Sequence, residues 1–370
     1  MRYLQIQVKG YKSLAEVTLD LHPLTVMIGP NGCGKTSFLE VFHLFREGAT
    51  GQLATVITSL GGFSNIVSHM PQMSSRLEFV LKASDLSQGV DSMTYTFALE
   101  PRALGYVVAL EHLQWHRLKS DMPDHEFQEN NAGPELMLAQ SFLWDADAEP
   151  KSLREVMSKT VSLAFVDVDA RAPIRLPQSL VPVAQPGRNG ETLFAALYNL
   201  RESKDFHSHY ERIEETLHLA FPDFEYLELP VVGAGQITLA WHQKDLTVPL
   251  YPNQLSEGTL RFLWLTTTLL SPEPPSLTLI DEPEVSLHPE LLQILAALLR
   301  DASARTQLIV ATHSSDLIRW LRPDEVVVID KQDGKSTFTW ADDPALDLEK
   351  WLQEYTLADL WYMGNLGGRP

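Results

Sequence analysis

One cysteine, Cys33, stands in the whole chain, which excludes a disulfide framework and suits a reducing compartment. No stretch approaches the roughly 18 to 20 uninterrupted apolar residues that a membrane-spanning helix requires. The opening MRYLQIQVKG carries no apolar run behind its charge, so it lacks the form of a secretory leader. Positive charge is scarce as well: 29 Lys and Arg face 48 Asp and Glu, a net charge of -19. Such a chain has no indiscriminate attraction to a phosphate backbone, and any contact with DNA is confined to a local basic patch. Internal repeats and low-complexity tracts are absent. The expectation is a soluble cytoplasmic protein with no membrane partner.

What is present begins with 44% hydrophobic residues in 370, enough for a large core in one big α/β domain or two to three average ones. Residues 2 to 29 read as three strands, RYLQIQVKG, EVTLDL and LTVMIG. From Lys35 to Phe45 the spacing turns helical, with Phe38, Leu39, Phe42 and Phe45 on one face and Gly48 as a stop. RLEFVLKA, MTYTFALE and GYVVALEHLQW alternate as antiparallel strands do. Between residues 117 and 250 the prolines 123, 134, 150, 173, 177, 182, 186, 222, 230 and 249 forbid a long helix and therefore a protruding coiled coil. Shorter helices fit ETLFAALYNLRE and HYERIEETLHLAF. Beyond Pro252 a helix at 258 to 270, the strand SLTLID, a helix after Pro289, the strand QLIVAT, a short helix DLIRWL and the strand EVVVID alternate as in a largely parallel sheet.

Three segments carry chemistry. Gly29-Pro30-Asn31-Gly32-Cys33-Gly34-Lys35-Thr36-Ser37 lies between the strand LTVMI and a helix and satisfies G-x-x-x-x-G-K-[ST]. Its glycines let the backbone wrap phosphates, the helix N-terminus supplies N–H donors, Lys35 reaches the β- and γ-phosphates, and Thr36 offers a hydroxyl to magnesium. An ordinary glycine-rich turn is the competing reading, weakened by the strand and helix on either side. Leu277-Thr278-Leu279-Ile280-Asp281-Glu282 is an apolar strand ending in paired acids, and parallel α/β sheets bind ligands at the carboxyl ends of their strands. Asp281 would orient the metal and Glu282 would accept a proton from attacking water; a solvated acidic turn is the bland alternative. His313 ends the strand QLIVAT on the same rim, where an imidazole could bond a γ-phosphate oxygen. His112 with His116, and His207 with His209, complete no metal-ligand set and read as surface residues.

GPNGCGKTS, LSEGT, LTLIDEPEVSLHP and IVATHS in this order resemble the ABC-type ATPases. Within them, LQIQVKGYKSLAEVTLDLHPLTVMIGPNGCGKTSFLE looks like the opening of the RecF, SMC and OLD-like group, with its Y/F-K-S turn before the P-loop. The resemblance implies an α/β P-loop NTPase of ABC-ATPase head type: a mixed, mostly parallel sheet with flanking helices, an antiparallel β lobe and no long coiled coil. It implies one bilobal head over residues 1 to 370, with a β-rich lobe at 1–116, an intervening region at 117–250 and a C-terminal lobe at 251–370. LSEGT stands where the family has LSGGQ, Glu257 replacing a Gly, and implies that Ser256, Glu257 and Gly258 cover a nucleotide held by a second copy. Val285 to Pro289 is similar to the D-loop of the dimer seam. The family's magnesium-sensing glutamine falls on Gln140 as first choice, with Gln72 and Gln52 behind it. Arg171 and Arg175 are further candidates to line the site.

The resemblance also implies the activity: ATP hydrolysis with magnesium by a homodimer that ATP brings together, switching DNA or a DNA-processing partner in repair, chromosome maintenance or phage defence. The alternative is an ATP-gated scaffold or sensor subunit of a nuclease or toxin complex with little hydrolysis of its own. A transporter motor fits poorly, because Ser256 follows Lys35 by 221 positions and the Y-K-S opening is foreign to transporters. A fused nuclease fits poorly too, since the 57 residues after His313 hold no two-metal cluster of acids.

Overall fold

A computed structural model describes residues 1–70, 75–85, 90–103, 105–117, 125–129, 133–140, 148–163, 166–346 and 355–366. Strands β1 (Arg2–Tyr11), β2 (Leu14–Asp20) and β3 (Leu24–Ile28) lead into helix α1 (Lys35–Ala49) and the short helices α2 (Leu53–Ser59) and α3 (Phe63–Ile66). Four strands follow, β4 (Leu77–Asp85), β5 (Val90–Arg102), β6 (Gly105–Arg117) and β7 (His125–Glu129). The middle contains α4 (Ala148–Ser158), β8 (Val161–Leu163), β9 (Gln178–Ser179), α5 (Leu193–Glu202), α6 (His207–Ala220) and the small strands β10 (Phe224–Glu228), β11 (Val231–Gly233), β12 (Gln236–Ile237) and β13 (Ala240–Gln243). The remainder alternates: α7 (Glu257–Leu269), β14 (Leu277–Asp281), α8 (Pro289–Ser303), β15 (Gln307–Thr312), α9 (Ser315–Ile318), β16 (Val326–Gln332), β17 (Lys335–Trp340) and α10 (Leu357–Met363).

Two six-stranded sheets dominate. One, in the order β2-β1-β4-β5-β6-β7, is antiparallel throughout. The other runs β17-β16-β3-β15-β14-β8; every neighbouring pair is parallel except β16 with β17. This is the mixed, mostly parallel sheet with an antiparallel lobe that the alternation of strands and helices led us to expect. The parallel sheet is fed from all parts of the chain, with β3 from the start, β8 from the middle and β14 to β17 from the end.

Strand periodicity explains why that sheet is central. Alternate side chains of β3 point to opposite faces, so Leu24, Val26 and Ile28 join a core with α5 to α8, whereas Met27 joins a second core with α1 and the antiparallel sheet. β15 divides in the same way, Leu308 and Val310 on one side and Ile309 and Ala311 on the other. Buried on both faces, these strands read as continuous apolar runs.

Two local expectations shift. Helix α1 does not stop at Gly48 but continues to Ala49, and Gly48 is buried: a Cβ there would lie 2.5 Å from Leu136 Cδ1. Its glycine is a packing requirement rather than a terminator. β17 pairs with β16 from Val327↔Trp340 to Gln332↔Lys335, a hairpin the sequence pattern did not announce.

Candidate functional site at the carboxyl edge of the parallel sheet

β3, β15 and β14 are adjacent and parallel, so the segments that follow them emerge on one edge. After β3 comes the glycine loop, whose shape is enforced by its surroundings. A Cβ on Gly29 would lie 2.2 Å from Ile329 O and 2.7 Å from Cys33 Sγ, so only glycine fits. Gly34, at φ +116°, caps α1 in the left-handed region, and a Cβ there would meet Ser336 Oγ at 2.5 Å. Ser336 on β17 donates to Cys33 O (2.5 Å) and lies 2.8 Å from Ser13 Oγ, so the Y-K-S turn and β17 together brace the loop from behind. Tyr11 and Lys12 of that turn both bond Glu40 on α1.

Lys35 is buried and folds back over the loop, donating to Gly29 O (2.6 Å) and Pro30 O (3.1 Å). Its Nζ is 3.3 Å from His313 Nδ1, and His313 Nε2 is 3.5 Å from Glu282 Oε1. The imidazole therefore links the loop lysine to the second acid of β14. Glu282 is held at φ +49°, a conformation uncommon for a residue with a side chain, while its N–H bonds Ala311 O. Glu284, not singled out by the sequence pattern, accepts from Thr312 Oγ1 and from the His313 N–H (3.1 Å) and so fixes the turn that carries His313.

Burial lowers the pKa of Lys35, with the acids opposing it, and raises that of Asp281, where Glu282 pushes the same way and Lys35 opposes. Burial and then Lys35 lower His313, against Glu282, so the imidazole is neutral at pH 7. The unfolded chain takes up this proton near pH 6.5 and the folded chain only at lower pH, so acidification through that window favours unfolding. Melting curves from pH 7.5 downward should show a fall in midpoint below about pH 6.5 that is shallower in His313→Asn. Identical slopes for both proteins would refute the depressed imidazole.

Thr36 and Asp281 line one cavity of ≈ 450 Å³ together with Leu39, Glu40, His43, Ser162, Arg188 and Asn189. A hydroxyl and a carboxylate form a hard-oxygen pair that suits magnesium bound mainly through phosphates. Among the described residues no group of three or more His, Cys, Asp or Glu could hold a metal unaided. Gln140 is elsewhere, which corrects its assignment as a metal residue. It follows the 3-10 turn Met137–Ala139, its Nε2 is 3.2 Å from Met137 Sδ, and Leu136 and Ala139 of that turn pack at Gly48 and Gly51. That is the C-terminal end of α1, about 22 Å of helix from Thr36. Gln52 caps α2 at the same distant end, and Gln72 lies outside the described residues. β14 lies between β15 and β8, and the residues that share the cavity of Thr36 and Asp281 from the middle of the chain are Ser162, Arg188 and Asn189, not Gln140.

Ser256 caps α7, its Oγ accepting from the Thr259 N–H (3.1 Å). A Cβ on Gly258 would lie 2.5 Å from Ser286 O, so the glycine permits close seating of this turn on the segment after Glu282. Arg175 spends its guanidinium on Val168 O, Pro252 O and Leu255 O, which steadies the approach to Ser256 rather than the phosphate loop. Arg171 is exposed and forms no hydrogen bond with a described residue. The cap bonds within itself and to Ser286, and no hydrogen bond among the described residues joins 256–258 to 29–36.

Residues 24–319 match the family model described as "AAA domain, putative AbiEii toxin, Type IV TA system". A stretch of 40 residues is 45% identical to an OLD nuclease of Thermus scotoductus, covering 11% of this chain and only 8% of that protein. Among solved structures, an Smc head bound to the C-terminal winged-helix domain of ScpA superposes with a TM-score of 0.58 at 14% identity, covering 92% of this chain and 98% of the other. An Smc head domain with an extended coiled coil, bound to the C-terminal domain of ScpA from Pyrococcus furiosus, gives 0.58 at 11% identity, over 95% and 100% of the two chains. The SMC head domain of Thermotoga maritima gives 0.50 at 13% identity, over 92% and 99%. These likenesses establish a shared head fold.

Proposed function

Since the chain belongs to this AAA-domain family, in the ABC-type ATPase group of RecF, SMC and OLD proteins, we propose that it binds ATP in the Gly29–Ser37 loop and hydrolyses it. The observation that carries this reading is the linkage Lys35–His313–Glu282, which joins the phosphate loop to the second acid of β14 across three adjacent strands. Backbone N–H groups of the loop and Lys35 bind the β- and γ-phosphates. Thr36 and Asp281 would hold magnesium, which when bound supplies charge neutralisation between those phosphates. Glu282 accepts the proton of the attacking water, and neutral His313 orients against a γ-phosphate oxygen.

We infer a homodimer in which each cap covers the nucleotide of the other copy; in support, Ser256–Gly258 seats on Ser286 and makes no hydrogen bond among the described residues to the chain's own loop. An N-cap serine, a glycine and free N–H groups form an anion receptor. We place the whole chain, 1–370, in one bilobal head whose closure acts on DNA or on a DNA-processing partner. Among the described residues no helix is long and apolar enough to cross a membrane, and with Cys33 alone the protein suits a reducing cytoplasm.

Steady-state turnover and nucleotide affinity, with and without DNA at stated salt, test the reading. Lys35→Ala should bind ATP at least about tenfold more weakly, since it removes the loop's one buried cation. Affinity equal to that of the parent would count against the phosphate loop itself.

A further inference from the structure

Arg188 stands on the wall of the cavity that Thr36 and Asp281 share. It sits in a turn between Gly187 (φ +66°) and Gly190 (φ +69°), conformations that glycine adopts without strain. The turn's backbone is fixed on several sides. Trp264 Nε1 donates to Gly187 O (2.9 Å), Gln178 Nε2 to Gly190 O (2.6 Å) and Thr192 Oγ1 to Gln185 O (3.0 Å), while the Asn189 N–H bonds Glu191 Oε2 (2.8 Å). The side chain is the opposite: exposed, with no hydrogen bond or ion pair to any described residue. Arg171 is unspent on described residues as well, but it is not among the residues that line this cavity. Arg175, Arg300, Arg305 and Arg322, by contrast, all bond carbonyls or carboxylates. Arg188 also lines the adjoining cavity with Thr268 and Glu273, and an arginine that reaches the cavity of Thr36 and Asp281 unspent on protein is matched to a phosphate, whose oxygens its planar fork fits.

We propose that Arg188 is a catalytic residue of the ATPase reaction, its guanidinium contacting the γ-phosphate and stabilising the charge that grows there as the phosphoryl group transfers. This rests on the reading of the chain as an ATPase. In the step, the water oxygen bonds the γ-phosphorus as the bond from that phosphorus to the β–γ bridging oxygen breaks. The water's proton goes to Glu282, ADP leaves with the bridging oxygen, and Arg188 stays charged throughout, exchanging no proton. The anchor supplies a second consequence. Trp264 lies on α7, the helix that begins at Ser256, so the arginine turn of one nucleotide site is tied directly to the cap offered to the other.

Arg188→Ala and Arg188→Lys, compared with the parent and with Lys35→Ala, test this. Arg188→Ala should lower kcat about 100-fold and reduce the preference for ATP over ADP several-fold, as expected on losing one charged donor to the transferring group. ADP affinity and thermal midpoint should not change, because the side chain touches neither the α- and β-phosphate cradle nor the core. Arg188→Lys should recover part of the loss, the charge without the fork, and millimolar guanidinium should raise the turnover of Arg188→Ala but not of the parent. If kcat and ATP preference of Arg188→Ala both lie within about twofold of the parent, the assignment is overturned while the ATPase reading stands. If the parent does not bind ATP at all, both go together.

Discussion

Glu282→Gln is expected to lower ATP turnover roughly 1,000-fold, the scale of a lost general base, while ATP affinity stays within about threefold of the parent. The asymmetry follows from the shape of the site. Gln has the same length and keeps the backbone bond from residue 282 N–H to Ala311 O, so the φ +49° turn after β14 need not rearrange. What is lost is the acceptor for the water's proton. Hydrolysis stalls after binding, and nucleotide-bound dimers should accumulate, visible by light scattering on addition of ATP and persisting after excess ATP is removed. The substitution also removes the negative charge that raises the His313 pKa, so the imidazole of this variant should titrate lower still by NMR. Unchanged turnover would remove Glu282 from the chemistry and leave Asp281 or a water chain as acceptor.

How far this site could be read from the chain depends on how local its parts are. The phosphate loop, the acids after β14 and His313 after β15 each carry their signal within a few neighbouring residues: an apolar run that stops, then glycines, acids or a histidine. Strand adjacency then brings three such signals to one edge. The brace behind the loop had no such signal, since Ser336 and Ser13 meet across 323 positions and neither has a motif of its own. Glu284 lies within a quoted motif, yet its task, fixing the turn of His313, depends on how β14 and β15 pair. Gln140 follows only from the family resemblance, and a resemblance without a local motif does not determine which end of a 15-residue helix a segment packs against. Arg188 has no such signal because Pro186 to Gly190 reads as any polar turn; its place beside the cavity of Asp281 depends on anchors distant in the chain, Trp264 on α7 above all.

Ser256→Arg is expected to abolish ATP-dependent dimerisation while a monomer continues to bind ATP. Ser256 is exposed, so the change creates no buried charge, and the intrinsic cost is the lost cap to the Thr259 N–H, about 1 kcal/mol. A cost of that size does not unfold α7, whose inner face is packed through Leu260, Phe262, Leu263 and Leu265. The larger effect is steric: a long, charged arginine side chain stands where a hydroxyl and Gly258 would admit a phosphate. Ser256→Ala separates the two contributions, losing the cap while leaving the space, and should weaken association only modestly. The decisive comparison places Ser256→Arg in the Glu282→Gln background. If the caps act across the seam, the double variant remains monomeric with ATP bound although hydrolysis is blocked. Dimers of the double variant, as abundant as those of Glu282→Gln alone, would mean that copies meet through another surface and that Ser256 does no more than begin its helix.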